Sequence, residues 1–191
     1  IIEVVKEDLD IKRKVFAQVA KHRRPGSVVT SNTSGISIAA MAEGLDDDFR
    51  KHFLGTHFFN PPRYLKLLEI IPGPDTDPEV VEAMDTFVDV RLGKGVVVAR
   101  DTPNFVGNRI GVFAMLDAVR AMDETGLSIE EVDTLTGPLI GHPKSATFRT
   151  ADLVGIDVIG LVAGNVHRGC PEDESRASFE VPGPIAKVIE H

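Results

Sequence analysis

The sequence predicts an α/β part over residues 1–100 followed by an all-helical part over 101–191. Three observations point that way. Short apolar runs alternate with helix-period segments as far as GVVVA at 95–99, the pattern of βαβ units and a parallel sheet. Beyond about Thr102 the strand patterns stop and long amphipathic runs replace them. Chain breakers such as Pro25-Gly26 and Asn60-Pro61-Pro62 fall between the runs rather than inside them.

Taken in order, IIEVV at 1–5 reads as a mid-sheet strand. A helix follows from about Asp8 to His22, with Leu9, Val15, Phe16 and Val19 on its apolar side and Pro25-Gly26 ending it. Ser27 to Ser31 makes the next strand. Gly35 to Met41 makes a short helix, started by the Ser and Thr of SNTSG at 31–35. A parallel sheet built this way presents the C-terminal ends of its strands to a ligand, so a site is expected there. Strand-like runs fill 53–58 and 65–71, a helix runs from Pro78 to about Val90, and GVVVA completes the sheet. Thr102-Pro103 then reads as a helix start, and Val106, Ile110, Phe113, Ala114 and Ala121 recur at helical spacing up to Gly126. In LSIEEVDTL, Ser128 is an N-cap, and 137–147 is loop-rich. The chain closes on AKVIEH without a turn or cap to finish a helix.

GTHFFNPP at 55–62 and LKLLEI at 65–70 are the most chemical stretches. Thr56–Phe59 and Leu65–Ile71 have strand composition, and Asn60, Pro61 and Pro62 break the chain between them. A hairpin-like or neighbouring-strand arrangement would therefore bring His57 close to Glu69. An imidazole held by a carboxylate makes a general base near neutral pH: the carboxylate fixes the tautomer and stabilises the imidazolium that forms. A buried histidine held by glutamate for structural reasons has the same signature.

With 191 residues, 42% hydrophobic and 26% charged, the composition fits an intracellular globular protein of one large or two small cores. The net charge of −8 argues against a nucleic-acid partner. Lys6, Lys12, Arg13, Lys14, Lys21, Arg23 and Arg24 cluster near the start, but Glu7, Asp8 and Asp10 are interleaved with them. That reads as a solvated helix face rather than a phosphate site. No run of 18 apolar residues and no signal peptide is present, so no membrane span is expected. Cys170, the single cysteine, fits a reducing compartment and has nothing nearby in sequence to activate it. The expected location is the cytoplasm, or the mitochondrial matrix if a targeting segment precedes the chain.

SNTSGIS at 31–37, HFFNPP at 57–62 and DTPNFVGNRIG at 101–111 occur in that order and resemble the L-3-hydroxyacyl-CoA dehydrogenase family. TGPLIGHPKSATFRTADLVGID at 136–157 resembles the start of that family's helical C-terminal domain, most of all in the long fused enzymes of fatty-acid β-oxidation. The resemblance implies a Rossmann-type NAD-binding domain followed by a helical domain that covers the substrate and commonly dimerises. It implies oxidation of L-3-hydroxyacyl-CoA to 3-oxoacyl-CoA with NAD as cofactor, an acyl-CoA substrate, and fusion to an enoyl-CoA hydratase part or a homodimer as further partners. His57 would be the general base, oriented by Glu69. Ser34 and Asn108 would bind substrate, Glu7, Lys12, Ser34 and Asn60 would contact the cofactor, and no metal is called for. The family's GxGxxG turn, which holds the dinucleotide pyrophosphate, does not occur here. The chain therefore reads as a fragment lacking the first βαβ unit, truncated at both ends and inactive by itself.

The sequence departs from the family at three places. Gly35 stands where Ser or Thr often follows, and Asn104 stands where a glycine is usual. The stretch from Ser34 to His57 is longer by about two residues, an insertion placed in the polar connection AEGLDDDFRKH. Asn32 reads as a cap for the helix after it. Two other classes stay open. A zinc hydrolase would use His52, His57 and Glu69, although five-residue spacing in a strand puts the histidines on opposite faces. A non-catalytic acyl-CoA-binding or dimerisation module would bind CoA esters without dependence on NADH.

Overall fold

The computed structural model describes residues 1–183, 185 and 186; of the ending AKVIEH, all but Ala186 lies outside the described residues. The chain divides into two compact units, Ile1–Val106 and Gly107–His191.

In the first unit β1 (Ile2–Glu3), β2 (Val29–Ser31), β3 (Phe53–Phe58), β4 (Leu67–Pro72) and β5 (Gly95–Val98) lie side by side in chain order. Helix α1 (Leu9–His22) crosses from β1 to β2, α2 (Ile38–Ala42) and α3 (Asp47–Lys51) from β2 to β3, and α4 (Pro78–Leu92) from β4 to β5. Each pair joined by helices is parallel, as the alternation predicts, but β3 and β4 are antiparallel. The reason is the length of the connection 59–66, which is shorter than the dozen or so residues a parallel crossover requires.

The sheet is covered on both faces. Phe16 of α1, Ile38 and Met41 of α2 and Phe49 of α3 pack with Phe53 and Ile71 on one face. Val80 and Val88 of α4 pack with Leu54, Leu68 and Ile70 on the other. Successive side chains of a strand point to opposite faces, so His57 and Glu69 share the face of Phe53 and Ile71.

Local sequence sets the helix ends. Asp8 caps α1 by accepting from the Ile11 amide at 3.0 Å. Asp77 caps α4, which has Pro78 in its first turn and Gly93 in the left-handed region after its last. Two helix starts differ from expectation. Helix α2 begins at Ile38 with Ser37 as N-cap, because the Thr33 hydroxyl takes the Ile36 amide at 2.9 Å and holds a turn instead. The Asp101 carboxylate accepts from the Ile38 and Ala39 amides of the same helix end. Thr102-Pro103 starts no helix: Asn104 and Phe105 both have positive φ, which an α-helix excludes, and the next helix begins at Gly107. The polar connection expected over AEGLDDDFRKH contains α3, capped by Asp46. Strand β1 stands at one end of the strand order within this chain, with Ile2 52% exposed.

The second unit contains α5 (Gly107–Thr125), α6 (Ile129–Leu135), α7 (Phe148–Val154) and α8 (Ile156–Gly169), and no strand among its described residues. Val112 and Leu116 of α5 pack with Ile159, Ala163 and Val166 of α8 and with Phe179. Gly126, at φ 69°, stops α5. Ser128 and Glu131 form a reciprocal capping box on α6. The Asp133 carboxylate on α6 accepts from the Phe148 amide at 2.7 Å, which ties the loop-rich stretch to the start of α7. No described helix is long and apolar enough to cross a membrane.

Candidate active site

The register of β3 and β4 places His57 directly opposite Glu69. Their side chains meet, with His57 Nδ1 2.7 Å from Glu69 Oε2. Both are enclosed, His57 at 4% exposure and Glu69 at 0%. The Val106 amide donates to the second carboxylate oxygen, Oε1, at 2.9 Å. Glu69 therefore sits between two donors, and the imidazole is walled by the rings of Phe59 and Phe105, 4.5 and 5.8 Å between centroids. A carboxylate at Nδ1 assigns the ring proton to that nitrogen and leaves Nε2 as the basic one. Such a group can take a proton from a hydroxyl and return it, with the imidazolium stabilised by Glu69.

A second polar cluster lies where β1 and β2 end. Lys12, on α1, is only 1% exposed. Its ammonium lies 2.9 Å from Glu3 and 3.2 Å from Glu7. Glu7 in turn accepts from the Thr33 hydroxyl and, at 2.8 Å, from the Ser34 amide. The structure so brings together Glu7, Lys12 and Ser34. It also corrects the reading of the basic cluster as a solvated face, since Lys12 is interior. Lys12, Phe16 and Val19 recur at the spacing of one helical stripe, which was the available signal. Glu3, an acid inside an apolar strand run, was the matching signal on β1.

Asn32 does not cap the helix after it. Its side-chain oxygen accepts from the Phe58 amide at 2.9 Å and ties the loop after β2 to the end of β3. Asn60 is exposed just past β3, before a cis bond to Pro61. Asn108 stands in the first turn of α5, in the second unit. His52 is turned to its own helix, Nδ1 2.7 Å from the Asp48 carbonyl, and among the described residues no three His, Cys, Asp or Glu side chains are grouped to hold a metal.

Two residues that depart from the family pattern prove to be neighbours. A Cβ built on Gly35 would stand 2.5 Å from the side-chain oxygen of Asn104, so the buried Asn104 fills the space that a larger residue at 35 would need. Asn104 supports this with φ 58°, a conformation it tolerates better than most residues do.

Comparison with known proteins agrees with this arrangement. Residues 1–102 match the 3-hydroxyacyl-CoA dehydrogenase, NAD binding domain, and residues 105–181 match the 3-hydroxyacyl-CoA dehydrogenase, C-terminal domain. A "Probable 3-hydroxyacyl-CoA dehydrogenase" of Bacillus subtilis is 56% identical over 190 residues, 100% of this chain and 24% of the relative. A protein of Rickettsia felis that carries the name fatty acid oxidation complex trifunctional enzyme is 32% identical over 191 residues, 100% of this chain and 26% of its own length. The chain thus spans about a quarter of these two curated relatives. The crystal structure of FadB2 from M. tuberculosis superposes with a TM-score of 0.87 at 31% identity, covering 99% of this chain and 64% of that one. The chain belongs to the 3-hydroxyacyl-CoA dehydrogenase family, its first part to the NAD binding domain and its second to the helical C-terminal domain.

Proposed function

We propose that the protein carrying this chain interconverts L-3-hydroxyacyl-CoA and 3-oxoacyl-CoA with NAD in fatty-acid β-oxidation. The observation that carries the reading is the buried His57–Glu69 pair at the sheet end of an NAD binding domain. In the oxidation direction His57 Nε2 takes the proton of the substrate's 3-hydroxyl, and in reduction it returns one. Glu69 holds the ring in the required tautomer and offsets its charge. NAD, when bound, supplies the acceptor for the hydrogen and electron pair that leave C3.

The residues at the ends of β1 and β2 suit the sugar of a dinucleotide better than its pyrophosphate. Glu7, 44% exposed at its side chain, offers carboxylate oxygens to ribose hydroxyls, while the charge of Lys12 is already taken up by two carboxylates. We read Glu7, Ser34 and Asn60 as cofactor contacts and Lys12 as the support of Glu7. Ser34 and Asn108 are read as the groups that position substrate, Ser34 serving both. The relative named as a trifunctional enzyme supports a place beside an enoyl-CoA hydratase in one polypeptide. The second unit, with Leu139, Leu153 and Leu161 exposed, is read as the part that meets substrate and a second copy.

The test is NADH consumption with acetoacetyl-CoA by the full-length protein. His57→Gln should lower turnover by about 10²- to 10⁴-fold with NADH affinity unchanged, and Glu69→Gln should lower it less. Parental turnover in the His57 variant would sink the assignment of the base. Binding of CoA esters without any NADH consumption would favour the non-catalytic module.

A further inference from the structure

Glu3 takes part in none of the roles above, yet both oxygens of its buried carboxylate are bonded at the cofactor end of the sheet. Its Oε1 accepts from Lys12 Nζ at 2.9 Å and from the Val5 amide at 2.5 Å. Its Oε2 accepts from Lys12 Nζ at 3.0 Å and from the Ser31 hydroxyl at 2.6 Å. A carboxylate has about four acceptor sites, so Glu3 has none left for a ligand. It is an internal anchor that ties the end of β1 to α1 and β2.

We infer that Glu3 is a positioning residue for the cofactor site, acting through Lys12 and Glu7 on the loop that carries Ser34. The inference rests on the reading of Glu7 and Ser34 as cofactor contacts. Lys12 reaches Glu7 Oε2 at 3.2 Å, and Glu7 Oε1 holds the Ser34 amide at 2.8 Å and the Thr33 hydroxyl. The order of charge from inside to outside is therefore negative, positive, negative, with a net charge of −1. Two carboxylates share one ammonium, and that sharing decides how much of Glu7 remains for a ribose.

Removing the inner charge changes the balance. With glutamine at position 3, the buried ammonium has one carboxylate left, and the strongest bond available to it is a closer contact with Glu7. Glu7 then turns inward, gives up acceptor capacity toward a sugar hydroxyl and loosens its hold on the Ser34 amide. The imidazole of His57, on β3, is bonded to none of these groups, so the proton-transfer step is left alone.

The experiment compares Glu3→Gln with the parent in the full-length protein. NADH binding is followed by nucleotide fluorescence, turnover is measured with acetoacetyl-CoA, and exchange of the Ser34 amide is measured without cofactor. The expected result is an NADH Kd and KM raised about tenfold, kcat at saturating NADH within about twofold of the parent, and faster Ser34 exchange. Glu3→Asp keeps the charge and should recover most of the affinity. If Glu3→Gln does not fold, Glu3→Asp carries the test, with an expected rise in Kd of about threefold from the shorter reach. A folded Glu3→Gln variant with parental Kd, or one that loses kcat at unchanged KM, overturns the inference, and where only Glu3→Asp folds a parental Kd in it does the same. A parent protein that binds no NADH overturns instead the reading of the site on which it rests.

Discussion

The two units bury different chemistry. Among the described residues every buried polar or charged residue lies in the first unit, including Glu3, Lys12, Thr33, His57, Glu69 and Asn104. The buried side chains of the second are apolar throughout, from Val112 and Leu116 to Ile159, Val166 and Phe179. Burying an ionisable group costs free energy unless partners replace water, so a fold does it at few places. In the first unit the partners are present: no buried side-chain nitrogen or oxygen among the described residues lacks a hydrogen bond. The difference teaches where to look for function. Apolar side chains fill the interior of the helical unit, while the α/β unit accepts desolvated charge at the strand ends where a ligand is expected.

That contrast can be broken by removing one partner from each interior. Lys12→Met leaves Glu3 buried without its cation and should destabilise the first unit by about 3–5 kcal/mol, seen as lost amide protection along α1 and β2 in urea. A loss no larger than that of an exposed lysine would mean that the pair is not a buried one. Leu116→Ala in the second unit creates a cavity instead, with an expected cost of about 3 kcal/mol that does not vary with pH. Its protection loss should stay within α5 and α8. Spread of the loss into the sheet would show that the two interiors are energetically one.

The smallest effect concerns two carboxylates each held by a backbone amide and an arginine, in which the units are alike. The Gly26 amide, helped by Arg23, holds Asp48 below the usual carboxylate range, and the Ser175 amide, helped by Arg109, does the same for Asp173. A depressed value means stability that is present above the unfolded value and lost as pH falls through the folded one. Asp48→Asn and Asp173→Asn should each lower stability at pH 5–7, and the deficit should vanish as the pH falls below the model-compound value of 3.8 in thermal scans. A deficit that persists in acid would point to lost geometry rather than lost charge. The Asp48 side chain is 45% exposed, so its effect should also shrink in high salt, while that of Asp173, 8% exposed, should respond less.

Much of the fold was legible because it depends on local preference. The Ser128 cap and the Gly126 stop follow from single residues acting on their own neighbours. The meeting of His57 and Glu69 was legible as well, since two short strands separated by a chain break have few ways to lie. What local reading missed involves segments far apart in the chain. Asn32 looks like a cap until β3 arrives and offers the Phe58 amide. Lys12 looks solvated until Glu3 and Glu7 close over it. Thr102-Pro103 looks like a helix start until Asn104 and Phe105 turn left-handed, with Asn104 filling the space beside Gly35.

By itself the sequence determined the strands and most helices of the first unit, the change from α/β to helical composition and the residues able to do proton chemistry, because periodicity and caps act over a few residues. Only the tertiary structure decided the burial of Lys12 and the partners of Glu3, Asn32 and Asn104. The partner of a polar atom is set by which distant segment displaces its water, and that is a property of packing rather than of local sequence.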